Sequence, residues 1–107
     1  MSQMRRIATL AETFNTMVAP HNPMGPLATA HNVHFAAACS NFSILEYKPE
    51  TTSWCPDPYE PVDGHLELRP DRPGWGVTID EDALAEDDYV HWERRVPVRP
   101  DGSLAFC

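Results

Sequence analysis

Apolar positions in the first half of the chain recur with two different periods. Met4, Ile7, Ala8, Ala11 and Phe14 return at helical spacing, which predicts an amphipathic helix over residues 3–14, with Asn15 suited to its C-terminal end. Thr16 to Pro20 follow as a short, largely apolar run that reads as a strand. Gly25-Pro26 opens a second helix, because proline in the first turn gives up no hydrogen bond. That helix, "PLATAHNVHFAAAC", runs to about Cys39 and stops at Ser40-Asn41; its small side chains allow close packing on a sheet. "FSILEY", residues 42–47, is the second strand.

Helix, strand, helix, strand with short connections is the rhythm of parallel α/β structure, either a barrel or a doubly wound sheet. Both strands are nearly all apolar, as strands covered on both faces are. After Lys48 the pattern breaks. Pro49, Pro56, Pro58 and Pro61 interrupt regular structure, and Asp63-Gly64 predicts a hairpin turn between 61–62 and 65–68. Asp80 is a suitable N-cap for the acidic stretch "EDALAEDD", and a last hairpin is expected between 96–99 and 103–106. The chain therefore divides into an α/β part, residues 1–48, and an irregular segment, residues 49–107, that lies on it as a flap without a core of its own.

Composition narrows the class. A chain of 107 residues, 42% hydrophobic and 22% charged, has the make-up of one small globular domain. The net charge of −8 argues against general nucleic-acid or anionic-membrane binding, and the Arg94-Arg95 and Arg99 cluster is too small to track phosphates. No apolar run approaches the ~20 residues of a membrane span. Arg5 and Arg6 precede an apolar patch that Glu12 ends early, so no secretory signal is expected. Cys39, Cys55 and Cys107 are widely spaced, which fits reduced thiols in a cytoplasmic protein and argues against a zinc site built on them.

The candidate chemistry lies at the strand ends, where the loops of parallel α/β folds converge. "VAPHNPMGP" holds His21 just beyond the first strand, and Glu46 lies near the end of the second. Alternation groups Met17, Ala19 and His21 on one face and Ile44 with Glu46 on one face. If both faces point to one mouth, an imidazole and a carboxyl group meet there. Spacing alone leaves His21 open as an acid–base group or a turn-stabilising residue.

"VAPHNPMGPLATA", "FSILEY", "DGHLELRPDRPGWGVTIDEDAL" and "ERRVPVRPDGSLAF" together resemble the C-terminal part of the enolase superfamily, in its mandelate racemase subgroup, and most of all the galactonate dehydratase type of sugar-acid dehydratase. The resemblance implies a partial (β/α) barrel, its last two strand units, followed by a C-terminal cap segment. It makes His21 a catalytic acid–base group and Glu46 a catalytic residue that hydrogen-bonds the substrate carboxylate as it becomes an enediolate. Asn22 would touch the sugar-acid substrate or hold the loop. Removing a proton beside a carboxylate needs a base tuned near neutrality and strong stabilisation of the developing charge, which Mg2+ supplies in this superfamily.

The resemblance also implies what this chain lacks. The carboxylates that bind magnesium, the aspartate that pairs with the histidine and a second acid–base histidine belong to earlier strands. "EDALAEDD" fits a solvated helix face better than a metal cage. The expectation is the tail of a truncated or split enzyme, with no magnesium ligands of its own and little turnover alone. Its open strand edges would be covered by the missing N-terminal portion or by self-association.

His31 and His34, three apart on a helix, could hold a metal but lack a third ligand and read as packing residues. Gly74-Trp75-Gly76 is no dinucleotide fingerprint; Trp75 reads as packing, as do Trp54 and Trp92. Cys55 and Cys107 read as incidental thiols, and Gly25 with the amides after it as an anion-binding helix start or a tight turn. Three functions remain: part of a magnesium-dependent sugar-acid dehydratase, a non-catalytic fragment that only associates with a partner chain, or part of a racemase or cycloisomerase.

Overall fold

The computed structural model describes residues 1–86, 91 and 96–105, and among these described residues it has three helices: α1 (Ser2–Glu12), α2 (Pro26–Ala37) and α3 (Glu81–Glu86). Trp92, the Arg94-Arg95 pair and Cys107 lie outside the described residues. So does the end of "EDALAEDD".

Helix α1 ends two residues earlier than its apolar spacing predicts, and Asn15 takes the left-handed conformation (φ 52°) in the turn that follows. Ala8 is its buried residue, whereas Ile7, Leu10 and Phe14 are exposed. Asn41, itself buried, fastens the helix: its side-chain amide donates to Ala8 O at 3.0 Å and to Thr16 O at 2.9 Å. Helix α2 starts as expected, with Gly25 at φ 88° and Pro26 in the first turn. Its buried residues include Thr29, Ala30, Asn32, Val33 and Phe35.

The two expected strands are reduced to one parallel pair, Val18 with Phe42. Val18 N–H donates to Asn41 O at 2.8 Å, and Ser43 N–H donates to Val18 O at 2.9 Å. The next donor due from the first segment belongs to residue 20, a proline, which has none, so the ladder ends there. From the second segment it is Glu46, not Leu45, whose N–H reaches Pro20 O, at 3.4 Å. Three steps along one segment therefore stand against two along the other, the count of a bulge.

The core joins both parts of the chain. Ala30 and Val33 of α2 pack with Tyr59, and Leu45, Leu66 and Val77 close around them. Residues after Lys48 thus share a core with α2. Arg69 organises these residues: its guanidinium lies 4.4 Å from the centroid of the Tyr59 ring and donates to the carbonyls of Asp57, Pro58 and Gly76 at 2.7, 2.8 and 3.0 Å. Asp63 (φ 50°) and Gly64 (φ 80°) form the expected hairpin turn, closed by reciprocal Val62–His65 bonds of 2.8 and 2.9 Å. Asp80 caps α3 through Ala83 N–H at 3.0 Å, and the last hairpin pairs Val98 with Leu104.

The radius of gyration is 17.4 Å, against about 13 Å for a compact domain of this length. Ile7 and Leu10 of α1, and Met17 and Ile44 beside the paired segments, are left exposed.

Candidate active site

The bulge decides where Glu46 points. Residues paired across a ladder share a face, so strict register would place Glu46 with Val18 and on the side opposite His21. The extra residue reverses this: Leu45 turns to the core and Ile44 is exposed. Glu46 then meets His21, with Nδ1 of the imidazole 2.5 Å from Oε2 of the carboxylate. Both side chains face solvent, 79% and 48% exposed.

Asn22, beside the imidazole, is 2% exposed and bonded on every side. Its backbone N–H donates to Glu46 Oε2 at 2.9 Å. Its side-chain Nδ2 donates to Glu46 O at 3.1 Å and to Thr29 Oγ1 at 2.9 Å, and its Oδ1 accepts from Asn32 Nδ2 at 2.9 Å. Asn32 and Thr29 were not singled out in the sequence. Their signal was present: two polar residues three apart on the buried side of an apolar helix demand a polar partner.

The Asn22 N–H, opposed in part by burial and assisted by His21, holds the Glu46 carboxyl below its usual range. Glu46 is therefore ionised at neutral pH and accepts from Nδ1–H of His21. A neutral imidazole whose Nδ1 carries the proton has its lone pair on Nε2. The arrangement offers one proton acceptor, Nε2, and one carboxylate oxygen, Oε1, that takes no hydrogen bond among the described residues. It can move a proton at one position and bind a donor at the other.

His31 and His34 pack edge-on against Trp75, with ring centroids 4.2 and 5.4 Å apart. Burial, then the chain's amino terminus and His34, lower the His31 pKa. Cys55 is buried, which pushes its thiol up and away from reactivity. Among the described residues no three His, Cys, Asp or Glu side chains converge to hold a metal, so the residues present do not fit a magnesium site.

The family model for the enolase C-terminal domain-like fold, a part of a (β/α) barrel, matches residues 1–83. A D-galactonate dehydratase family member of Streptomyces bingchenggensis is 36% identical over 97% of this chain and 26% of its own length. An enolase structure from Agrobacterium radiobacter, named as a candidate galactarate dehydratase and holding sodium and L-malate, superposes with a TM-score of 0.91 at 58% identity, over 100% of this chain and 31% of that one. A structure from Burkholderia xenovorans strain LB400, bound to magnesium and fumarate, matches with a TM-score of 0.67 at 38% identity, over 78% of this chain and 21% of that one. The chain thus spans about a quarter of the curated relative it matches.

Proposed function

The chain belongs to the enolase C-terminal domain-like family, and from that premise we propose that His21 and Glu46 form part of the active site of a sugar-acid dehydratase. The observation that carries the reading is the 2.5 Å approach of the two side chains at the ends of parallel-paired segments. These segments are, in this reading, the last two neighbouring staves of a (β/α) barrel, with residues 49–107 as its cap. The similarity to a galactonate dehydratase family member and to an enolase holding L-malate, a hydroxy acid, supports the substrate class.

Nε2 of His21 takes the proton from the carbon beside the substrate carboxylate. The carbon–oxygen bond to the β-hydroxyl then breaks, the proton held by the imidazolium leaves with that hydroxyl as water, and the enol that remains becomes a 2-keto acid. Glu46 stabilises the imidazolium through Oε2 and accepts a hydrogen bond from a hydroxyl of the sugar acid at Oε1. Asn22 holds the loop rather than the substrate, since its side chain is enclosed and satisfied.

Magnesium, which one relative's structure contains, would stabilise an enediolate, but no residues of this chain are assigned to it and no step is routed through it. Its ligands would come from other strands, in a longer polypeptide or a partner. The exposure of the His21–Glu46 pair favours a second reading for the chain alone, that of a non-catalytic piece that associates through its open faces. Self-association or an N-terminal portion would cover them, in a cytoplasmic setting. Incubating the chain with the preceding part of a relative, magnesium and a panel of sugar acids tests the first reading: turnover that His21→Asn abolishes supports it, and turnover that His21→Asn leaves intact removes it.

A further inference from the structure

Behind the His21–Glu46 pair lies a chain of hydrogen bonds whose direction is fixed at both ends. Thr29 Oγ1 donates its one proton to Gly25 O at 3.2 Å, so toward Asn22 it can only accept. At the other end, Asn32 Nδ2 donates to Asn22 Oδ1. These two constraints leave a single orientation for the Asn22 amide. Its Nδ2 must face Thr29 Oγ1 and the backbone carbonyl of Glu46, and a flipped amide would set oxygen against both. Thr29 and Asn32 are 4% and 6% exposed, so water cannot take their place. Among the described residues, neither Thr29 nor Asn32 hydrogen-bonds to His21 or Glu46.

The Asn22 side chain grips the main chain of Glu46 while the Asn22 main chain grips its carboxylate. The two bonds close a ring between residues 22 and 46 at the point where Pro20 and the bulge have ended the ladder. Without the side-chain half of that ring, the two backbones are held here only by the long Glu46 N–H to Pro20 O bond of 3.4 Å and by the Asn22 N–H on the mobile end of the Glu46 side chain.

We infer that Asn32 and Thr29 are positioning residues, which act through the orientation of the Asn22 amide to aim the Glu46 carboxylate at His21. The inference deepens the dehydratase reading and rests on it for its catalytic meaning, but the geometry it predicts can be measured without turnover.

The experiment follows the Asn22 backbone amide proton by NMR in the full chain, since its shift reports ionisation of Glu46. Wild type should titrate below the usual glutamate range. Asn32→Leu and Thr29→Val should move that midpoint up toward the ordinary value and speed exchange of the Asn22 amide by about tenfold or more. Thr29→Ser, which keeps the hydroxyl, should leave both unchanged. An unchanged midpoint in Asn32→Leu, with the amide spectrum of α1 and the Val62–His65 turn intact, overturns the inference. Should Asn32→Leu fail to fold, the Thr29 pair decides: equal behaviour of Thr29→Ser and Thr29→Val means packing alone and also overturns it. Failure of the dehydratase reading would show elsewhere, as turnover indifferent to His21, with these titrations as predicted.

Discussion

The main chain of Glu46 bonds to the main chain of Pro20, one residue out of the register set by Val18 and Phe42. That slip is what brings a carboxylate and an imidazole to one side of the paired segments. Regular pairing would have separated them across the sheet. The bulge is thus part of the site, and it lies between a proline that cannot donate and a buried asparagine that bonds to Glu46 twice.

The depressed Glu46 pKa gives the pairing a pH dependence whose sign follows from its cause. A carboxyl group with a folded-state pKa below its unfolded value favours the folded arrangement above the unfolded value, and that contribution is lost as pH falls through the folded one. Acidification into and below the carboxylate range should release the Asn22 amide and the His21 ring together. The His21 ring carbons, followed by NMR, should report this step, and Glu46→Gln should remove it.

Asp57 carries a second acid-sensitive contact. Burial alone would raise its pKa, but the Thr78 N–H and Arg72 outweigh it and hold the carboxyl below its usual range. By the same sign rule, anchorage of residues 57–78 holds above the unfolded-state value and fails as pH drops through the lowered one. Asp57→Asn should weaken this anchorage by about 1–2 kcal/mol at neutral pH and flatten its acid dependence. Near-ultraviolet circular dichroism of Tyr59 and Trp75 measures both effects.

Gly76 lies where Tyr59 and Arg69 meet. A Cβ there would stand 2.6 Å from the Tyr59 hydroxyl, and φ of 73° disfavours any side chain. Gly76→Ala should destabilise the fold by about 2 kcal/mol or more, read as a lower melting temperature. Gly74→Ala meets no atom within 4 Å and should cost less, through its φ of 62° alone.

The open apolar faces predict association. Ile7 and Leu10 on α1, Phe14 in the turn after it, and Met17 and Ile44 on the paired segments, are all more than half exposed. Surfaces of this kind seek a partner. Sedimentation of the isolated chain should show a mass that rises with concentration, and Ile44→Asp should reduce it. A monomer at all concentrations would leave those faces without the role assigned to them.

Much of this was legible in the residues. Gly25-Pro26, Asp63-Gly64 and Asp80 announce their turns and caps because each has a backbone or side-chain property few other residues share. His21 and Glu46 are recognisable as strand-end groups from their place at the ends of two apolar runs and from the family resemblance. The strands themselves were overread: apolar runs signal burial, but Pro20 and the bulge depend on which carbonyl meets which amide, and periodicity cannot see that. The spacing of α1 shows an apolar face but not what covers it, and Ala8 is its buried residue. Asn32 and Thr29 escaped notice because their meaning lies in a partner ten and seven residues away.

The most direct test of the central claim is solvent-deuterium exchange at the carbon beside the carboxylate of a sugar acid, with the chain joined to the preceding part of a relative and supplied with magnesium. The account predicts incorporation or elimination in the wild type and loss of both by at least about a hundredfold in His21→Asn. Equal rates in the two proteins would contradict it.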